Sequence, residues 1–487
     1  MSKQKRGQAD ERTLKEITPK GQDYSQWYLD TVLKTELADY GPVKGCMIIR
    51  PYGYAIWEAI QADLDRRIKE TGHKNAYFPL LIPKSFLEKE KEHVEGFSPE
   101  CAWVTIGGGE QLEEPLAIRP TSEAMICTMY AKWVGSWRDL PVLLNQWGNV
   151  VRWEKVTRPF LRTTEFLWQE GHTLHETEAE AEEETLRMLH VYRQHVEEVL
   201  AMPVVWGRKT DAEKFAGALR TYAIEALMGD GRALQAGTSH NLGQHFSNAY
   251  GIEFLDREQK RQRPWSTSWG VSTRLIGGMV MTHGDDAGLI LPPRVAPYQV
   301  AIVPIPPRQG DWNEAVLPKA RQVEARLRDA GVRVVLDDRD TQQTGYKYAD
   351  WEMRGVPLRL EIGPKDIEKN QCVLVRRDNR QKLFVPLEGL VQVAKQELDQ
   401  LQADLFERAK QRLADNTTRV TSFDELKEAM TGGRGFIVGG WAGDPEVERR
   451  IKEETKATIR IVPVEERSAP DIVTGKPGHE VYFAQAY

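Results

Sequence analysis

The sequence predicts an α+β protein of about three domains. A chain of 487 residues has room for about three domains of ordinary size. Strand-like runs and helices succeed one another irregularly up to a proline-rich hinge at 291–297, and beyond it they alternate regularly. A helix over 387–414 then leads to a last domain. We expect a mobile N-terminal arm at 1–20 and domains at 21–295, 296–400 and 401–487.

Composition excludes several classes of protein. Hydrophobic residues make up 40% and charged residues 28%, which is typical of a globular chain. No stretch approaches the roughly 18 apolar residues of a membrane span, and the polar N-terminus lacks the core of a signal peptide. Four dispersed cysteines without a C-x-x-C pair favour a reducing, cytoplasmic location. The net charge of -6 excludes an overall basic surface for nucleic acid, but not a local one.

The first elements follow from apolar spacing. Pro51 opens a helix whose apolar residues recur every four positions, and Gly72 ends it. A strand-like run, A-Y-F-P at 76–79, comes next. Residues 101–119 predict a hairpin that turns at three glycines; no Gly-Lys-Ser/Thr follows them, which disfavours a phosphate-binding loop.

The later elements divide at the hinge. Before it we expect strands around 143–153, 166–170, 233–247 and 265–276, with helices over 176–200 and 213–228. After it, strands at 300–304, 332–336, 358–362 and 373–376 separated by helices predict a small α/β domain with a largely parallel sheet.

Five polar clusters lie in these apolar settings, at 120–123, 152–154, 166–172, 235–240 and 273–274. If each lies on a strand, alternate residues such as Thr121 and Glu123, or Arg152 and Glu154, share a face. A single such pair is compatible with a half-exposed strand and ordinary salt bridges. Five clusters together favour a ligand site, because burying so many polar groups is costly without a ligand.

The residue types indicate the ligand. Two arginines without a phosphate-binding loop suit bidentate contacts to phosphate or carboxylate oxygens, and the flanking aromatic residues suit a planar base. The metalloprotease, serine-hydrolase and dinucleotide-binding motifs H-E-x-x-H, G-x-S-x-G and G-x-G-x-x-G are absent, which disfavours hydrolases and dehydrogenases.

These motifs, taken in order, resemble those of the class II aminoacyl-tRNA synthetases, and more narrowly the prolyl-tRNA synthetases of archaeal and eukaryotic type. Motif 1 resembles the helix from Pro51 with Pro79 at its proline, motif 2 resembles V-V-R-W-E-K through F-L-W-Q-E-G-H, and motif 3 resembles W-G-V-S-T-R-L-I-G with Arg274. P-T-S-E, E-K-F-A-G-A and Q-A-G-T-S-H-N-L-G-Q also match, and the HIGH and KMSKS signatures of class I are absent.

The resemblance implies a catalytic domain built on an antiparallel sheet, an α/β anticodon-binding domain and a small α+β C-terminal domain. It implies a cytoplasmic homodimer that activates L-proline with ATP and Mg²⁺ and transfers it to tRNA(Pro). We expect no editing domain, because the 120 positions (274 minus 154) from Glu154 to Arg274 are needed by the catalytic fold. Two alternatives stay open: a regulatory paralogue, which would usually lose Arg152 or Arg274, and a synthetase for threonine, glycine or histidine.

The resemblance also implies residue roles. Arg152 and Arg274 would be catalytic, and the ATP-binding residues would be Arg152, Glu154, Arg162, Thr163, Phe166, Gln235, Thr238 and Arg274. Proline would meet acceptors for its ammonium group, aromatic walls, the carboxyl-binding Arg152 and two histidines: Thr121, Glu123, Arg152, Trp168, Phe215, His172 and His240. Either histidine alone is more often structural, but each shares a strand face with other candidates.

Three further expectations concern the C-terminal half. Glu352, Lys365 and Asp366 would read the anticodon, in a segment, 351–382, with a local charge of +3. Relatives carry four zinc-binding cysteines where this chain has Ala442, Val447, Asp471 and Thr474, so we expect a domain folded without zinc. In the family the C-terminal tyrosine, here Tyr487, packs back near the active site, so the resemblance implies an ordered end of the chain.

Overall fold

The computed structural model describes residues 17–89, 101–307, 312–432 and 435–487. Residues 1–16 of the expected arm lie outside that range. Its last residues are held in place: the Thr18 backbone N–H donates to Asp30 over 2.9 Å, and that of Lys20 donates to Asp286 over 2.8 Å. No helix in the described ranges is long and apolar enough to cross a membrane.

A twelve-stranded sheet runs through the described part of the chain. Its central strands are antiparallel and lie in the spatial order Val204–Arg208, Arg220–Leu227, Ala233–Gly243, Trp265–Ser272, Glu165–His175 and Val142–Val151. Lys74–Asn75 adds a short parallel strand at the edge. Two of these strands confirm the runs expected near 143–153 and 166–170.

Helices around the central sheet complete the first domain. They are Tyr24–Lys34, Pro51–Glu70, Lys84–Leu87, Glu123–Trp133, Glu178–Val199, His245–Tyr250 and Arg274–His283. The four apolar residues predicted on one face of the second helix, Ile56, Ile60, Leu64 and Ile68, are fully buried. They share one core with the helix Glu178–Val199, which packs on the central strands.

The first domain also contains short strands outside the central sheet. They pair as Ala38–Tyr40 with Met47–Ile49, Phe254–Leu255 with Arg261–Gln262, and Leu81–Pro83 with the hairpin Ala102–Gly107 and Glu110–Ile118. Gly108 and Gly109 form the hairpin turn with φ of 62° and 90°, so the turn interpretation is confirmed. The strand expected at 76–79 is wrong: these residues are irregular, with Leu81–Pro83 the next strand.

The helix expected over 213–228 is also wrong. Residues 220–227 form the strand Arg220–Leu227, which pairs with a strand on each side. Alanine, glutamate and leucine give this segment high helix propensity, but the two antiparallel partners satisfy its backbone and bury both of its faces.

The second domain follows the hinge. Its five strands lie in the order Val334–Leu336, Val300–Pro304, Leu358–Ile362, Gln371–Arg376 and Lys382–Pro386 within the described ranges. The first three are parallel, but the last two are antiparallel, so the sheet is mixed rather than largely parallel. Helices Trp312–Ala315, Leu317–Asp329, Thr344–Met353 and Pro364–Glu368 connect them.

The helix Leu390–Asp415 leads into the last domain, so the boundary expected at 400 falls inside a continuous helix. The last domain consists of helices Phe423–Gly432 and Pro445–Thr455 and strands Thr417–Arg419, Phe436–Trp441, Thr458–Pro463, Ser468–Pro470 and Pro477–Ala484. Val462 and Pro463 pair with Arg208 and Gly207. The last domain therefore extends the sheet that carries the catalytic candidates.

Candidate active site

The candidate site lies on one face of the central sheet, where polar residues of three strands stand opposite one another. His240 pairs with Ser268, which pairs with His172 on the next strand. In the neighbouring row Gly270 lies between Thr238 and Glu170. Because residues directly opposite in adjacent strands share a face, these polar groups converge.

A cavity of about 240 Å³ opens over this face. Its lining brings together most of the predicted residues: Thr121, Glu123, Arg152, Phe166, Trp168, His172, Phe215, Gln235, Thr238, His240 and Arg274. Gly270 forms part of the floor, since a Cβ there would lie 3.0 Å from the Gln169 carbonyl oxygen and 3.6 Å from the Trp168 ring. The sequence clusters thus meet in one place although they are up to 153 positions apart (274 minus 121).

Residues of three of the polar clusters lie outside the strands. Thr121 precedes the helix Glu123–Trp133, and Glu123 begins it. Arg152 and Glu154 follow the strand Val142–Val151. Arg274 begins the helix Arg274–His283. These side chains thus lie at strand ends and helix starts. The expectation that alternate residues share one face of a strand holds only for the clusters at 166–172 and 235–240.

The acidic end of the cavity is a buried hydrogen-bonded network. The Thr121 hydroxyl donates to Glu123, and the Ser122 hydroxyl donates to Glu170. Glu170 also accepts from the Gln146 amide over 2.7 Å and contacts His172 Nε2 over 2.9 Å. This end therefore presents oxygen acceptors and negative charge, a suitable environment for a cation.

The two histidines differ in pKa. Burial alone would lower the pKa of His172, but its hydrogen bond to Glu170 and the charges of Glu170 and Glu123 outweigh burial and raise it. Burial lowers the pKa of His240 to about 4, despite the nearby charge of Glu123. His240 is thus neutral near pH 7; its Nδ1 lies 2.9 Å from the Thr221 hydroxyl, and its ring lies 4.7 Å from that of Phe215.

Two arginines form the basic end. The Arg152 guanidinium lies 5.5 Å from the ring centre of Phe166 and 5.7 Å from that of Trp168, and its Nε donates to the Pro120 carbonyl over 3.0 Å. Arg274 Nε donates to the Leu161 carbonyl over 3.0 Å. Burial, and then the positive charge of Arg152, lower the pKa of Arg274 to about 10. Two neighbouring cations in a cavity suit an anionic ligand.

Three predicted ATP residues do not line the cavity. Glu154 and Arg162 pair with each other, Oε2 to Nε, over 2.7 Å. Thr163 is buried beside them. All three lie on or next to the loop that joins the strands Val142–Val151 and Glu165–His175.

Sequence reasoning missed several lining residues: Glu170, Glu213, Lys214, Thr221, Ser268 and Ser272. Glu170 had a signal, because it shares a strand face with Phe166, Trp168 and His172. Glu213 and Lys214 belong to the E-K-F-A-G-A motif, of which only Phe215 was assigned a role.

The anticodon candidates lie near opposite ends of the strand Leu358–Ile362. The Glu352 carbonyl accepts from Arg377 Nε over 2.7 Å, next to the start of that strand. Its carboxylate lies 2.9 Å from Arg380 Nη2. Lys365 and Asp366 lie beyond the other end, in the helix Pro364–Glu368. Four steps of about 3.3 Å separate the strand ends, so one base cannot contact all three.

The four positions at which relatives carry zinc-binding cysteines do not provide a set of metal ligands in this chain. Asp471 is buried and accepts backbone N–H bonds from Ala442, Val473 and Thr474 over 2.8–2.9 Å. Val447 is buried in the core of the last domain. Among the described residues no cluster of three His, Cys, Asp or Glu could hold a metal ion.

Comparison with known proteins identifies the family. Family models match at 103–283 (tRNA synthetase class II core domain), 299–397 (anticodon-binding domain) and 423–487 (prolyl-tRNA synthetase, C-terminal). Proline–tRNA ligase of Natranaerobius thermophilus is 56% identical over 98% of this chain and 99% of its own, and proline–tRNA ligase 2 of Clostridioides difficile is 57% identical over the same shares. The chain belongs to the prolyl-tRNA synthetase family.

A solved structure supports the same conclusion. Prolyl-tRNA synthetase from Cryptosporidium parvum, complexed with halofuginone and AMPPNP, superposes with a TM-score of 0.94. It is 42% identical, and the match covers 97% of this chain and 100% of that one. Between Glu154 and Arg274, every strand longer than two residues belongs to the central sheet. This segment, which the structure describes throughout, therefore builds the catalytic domain itself and contains no second sheet of the size that an inserted editing domain would need. The class II catalytic fold is therefore confirmed.

Proposed function

We propose that the cavity activates L-proline with ATP to prolyl-adenylate and that the chain then transfers proline to tRNA(Pro). Family membership gives the overall reaction, that of a proline–tRNA ligase. The observation that carries the residue assignment is the polarity of the cavity, with acceptors and carboxylates at one end and Arg152 and Arg274 at the other.

The first step needs no general base. The carboxyl group of proline, with a pKa of about 3.5, is already ionised near neutral pH. It attacks the α-phosphorus of ATP, the bond to the bridging oxygen breaks, and pyrophosphate leaves. Arg152 holds the carboxylate and the α-phosphate in line, and Arg274 neutralises charge on the departing phosphates. Phe166 stacks on adenine, and Gln235 and Thr238 hold the nucleotide.

Proline fits the acidic end. Its ring carries a secondary ammonium, which would donate to Thr121 and Glu123. Trp168 and Phe215 provide apolar walls for the methylenes, and neutral His240 closes the pocket without adding a charge. Alanine is smaller than proline and loses only about 1–3 kcal/mol of contacts, so weak activation of alanine is expected.

Mg²⁺ would arrive with the nucleotide. This ion usually binds substrate phosphates together with one or two protein groups and keeps several waters, so it needs no dedicated cage. Gln235 and Thr238, which both line the cavity, would hold such an ion together with the nucleotide, and its chemistry would be to offset phosphate charge.

We further propose a homodimer, built through the motif 1 region, and a C-terminal domain that needs no zinc. Tyr77, two positions before Pro79, is 74% exposed, and Trp133, whose ring lies 6.0 Å from that of Phe78, is 51% exposed. These exposed aromatic rings suit contact with a second copy. A sedimentation mass near the monomer value of 55.6 kDa would contradict the dimer.

The experiment that tests the proposed function is ATP–pyrophosphate exchange with each of the twenty amino acids, on chelator-treated protein supplied with Mg²⁺. We expect exchange to be fastest with proline, weaker with alanine, and unchanged by added zinc. Exchange led by threonine or glycine would reject the pocket assignment. No exchange with any amino acid would favour a regulatory paralogue.

A further inference from the structure

The loop that carries Arg162 ends in a closed turn. The Arg158 backbone N–H donates to the Arg162 carbonyl over 2.7 Å, and the Arg162 N–H donates back to the Arg158 carbonyl over 2.9 Å. Phe160 at its tip has a φ of 60° and is buried. The neighbouring Leu161 carbonyl accepts from Arg274 Nε. The position of this turn therefore sets both Arg162 and Arg274, two of the residues assigned to ATP.

Residues of the N-terminal helix Tyr24–Lys34 contact this turn and hold it in place. The Tyr28 hydroxyl donates to the Pro159 carbonyl over 2.7 Å, and Arg158 Nη2 donates to the Ser25 carbonyl over 3.3 Å. The Arg158 guanidinium lies 5.0 Å from the centre of the Tyr28 ring. Its Nε is buried without a hydrogen-bond partner among the described residues, so aromatic faces surround it instead.

The second ring beside Arg158 belongs to the last residue of the chain. The centre of the Tyr487 ring lies 5.8 Å from the Arg158 guanidinium carbon. Tyr487 is itself fixed, since its N–H donates to the Ala233 carbonyl over 3.2 Å and the Ala233 N–H donates to the Gln485 carbonyl over 2.8 Å. Ala233 begins the strand that also carries Gln235 and Thr238.

We infer that Arg158 is a positioning residue for ATP, through which the chain's C-terminal residue and the helix Tyr24–Lys34 fix the turn that places Arg162 and Arg274. The inference rests on the proposed ATP site. A planar guanidinium suits this place because it can lie against two aromatic rings, whereas the ammonium of lysine is a compact, strongly hydrated charge. Arg158 acts through the turn and does not line the cavity.

The test is the kinetics of proline-dependent ATP–pyrophosphate exchange in R158A, Y487A and the double variant. Loss of a desolvated cation–π contact predicts a rise of about tenfold in the KM for ATP in each single variant. The KM for proline should stay unchanged. R158A also removes the contacts with Tyr28 and Ser25. Y487A also removes the contact of the Tyr487 ring with the Arg232 guanidinium over 5.6 Å. Because the Arg158–Tyr487 contact is lost in both, the effect of the double variant should be smaller than the two single effects combined. Y487F, which keeps the ring, should behave as the wild-type chain.

R257A is the matched control. Arg257 is an exposed arginine that also stacks on one aromatic ring, with 4.1 Å to the centre of Trp137, and it does not line the cavity. Its KM for ATP should not change. An unchanged KM for ATP in R158A would overturn the inference. Additive effects in the double variant would also overturn it, because Arg158 would then act on ATP independently of Tyr487. Failure of the proposed function is distinguishable, because the unmodified chain would then show no proline-dependent exchange.

Discussion

Two sets of buried charges in this molecule are arranged in opposite ways. At the junction with the C-terminal domain, Glu225 is fully buried between two cations: Lys209 Nζ donates to it, and Arg460 Nη2 lies 2.7 Å away. In the cavity, the cations Arg152 and Arg274 lie near each other, and the hydrogen bonds described for their Nε atoms go to backbone carbonyls. At the junction the carboxylates and cations contact each other directly, whereas in the cavity the two arginines lie side by side and the carboxylates Glu123 and Glu170 accept hydrogen bonds from Thr121 and Ser122.

This difference separates structural from functional burial. A second carboxylate, Glu213, lies 3.4 Å from Arg460 Nη1, so two cations face two carboxylates at the junction, and losing one member leaves uncompensated charge. Arg274 is instead disfavoured by its surroundings, since burial and the charge of Arg152 outweigh the opposing charge of Glu225 and lower its pKa to about 10. Phosphate oxygens would relieve that repulsion. The comparison predicts that substitutions at the junction reduce stability, and substitutions in the cavity reduce catalysis.

The largest effect is expected for R274A. Removing one preorganised donor to a developing anion typically costs about 10²–10³-fold in rate, and exchange kinetics with proline should show that loss. Stability should not fall, because the variant removes a buried cation next to another one. Urea unfolding of R274A checks this, and a lower midpoint than wild type would contradict the comparison.

E225Q tests the prediction that substitutions at the junction reduce stability. Neutralising Glu225 leaves the buried Lys209 without its paired carboxylate and leaves Arg460 with the longer contact to Glu213 alone among the described ion pairs, so we expect a loss of about 3 kcal/mol in the free energy of unfolding. Urea unfolding measures it. The control is E480Q, which breaks the pair between Glu480 and the largely exposed Arg419 and should cost less than about 1 kcal/mol. Equal losses in the two variants would mean that burial makes no difference.

Asp471 sharpens the comparison, because a single buried carboxylate there is compensated by backbone N–H groups. It joins the loop at Ala442 to the loop at Thr474, two of the expected cysteine positions. Charge-assisted hydrogen bonds of this kind are worth about 1.5–3 kcal/mol, so D471N should lower the free energy of unfolding by about 2 kcal/mol. Added zinc should not restore it; zinc-dependent recovery would contradict a metal-free domain.

The effect of D471N should depend on pH. Burial alone would raise the pKa of Asp471, but the N–H bonds from Thr474, Ala442 and Val473 outweigh burial and lower it. A lowered folded-state pKa gives stability that is fully present above the unfolded value and lost as pH falls through the folded one. The difference between wild type and D471N should therefore be constant near neutral pH and shrink below about pH 4. Unfolding midpoints measured across that range test the sign.

The sequence predicted local elements and missed long-range pairing. Apolar spacing placed the helix Pro51–Glu70 and the strands Val142–Val151 and Glu165–His175, because each pattern reflects burial of its own segment. It failed at 213–228, where strand pairing overrides helix propensity. Nothing local indicates that Val462 pairs with Arg208, or that Arg460 reaches Glu225 235 positions away.

The candidate site was predictable to a similar degree. Motif residues such as Arg152 and Arg274 could be named from sequence, and the structure brings them into one cavity. The local structure around them could not be predicted. Arg152 lies just beyond the end of a strand, and Arg274 is the first residue of a helix, so the alternation of side chains along a strand does not apply to either. The contact of Arg158 with Tyr487 joins residues 329 positions apart (487 minus 158), and no spacing rule predicts it.

The smallest effect is expected where a charge lies on a solvent surface far from the cavity. Lys365 is exposed in the helix Pro364–Glu368. K365A would remove the hydrogen bond that we propose between its ammonium and an anticodon base, and this loss should weaken tRNA(Pro) charging by about tenfold in kcat/KM. Exchange with proline needs no tRNA and should remain at the wild-type rate. The control K369A removes an equally exposed lysine one turn further along and should leave charging intact. If K365A lowered exchange and charging equally, Lys365 would affect the structure of the enzyme rather than contact tRNA. Exposed charges of the second domain would then not differ from the buried charges of the cavity in their effect on catalysis.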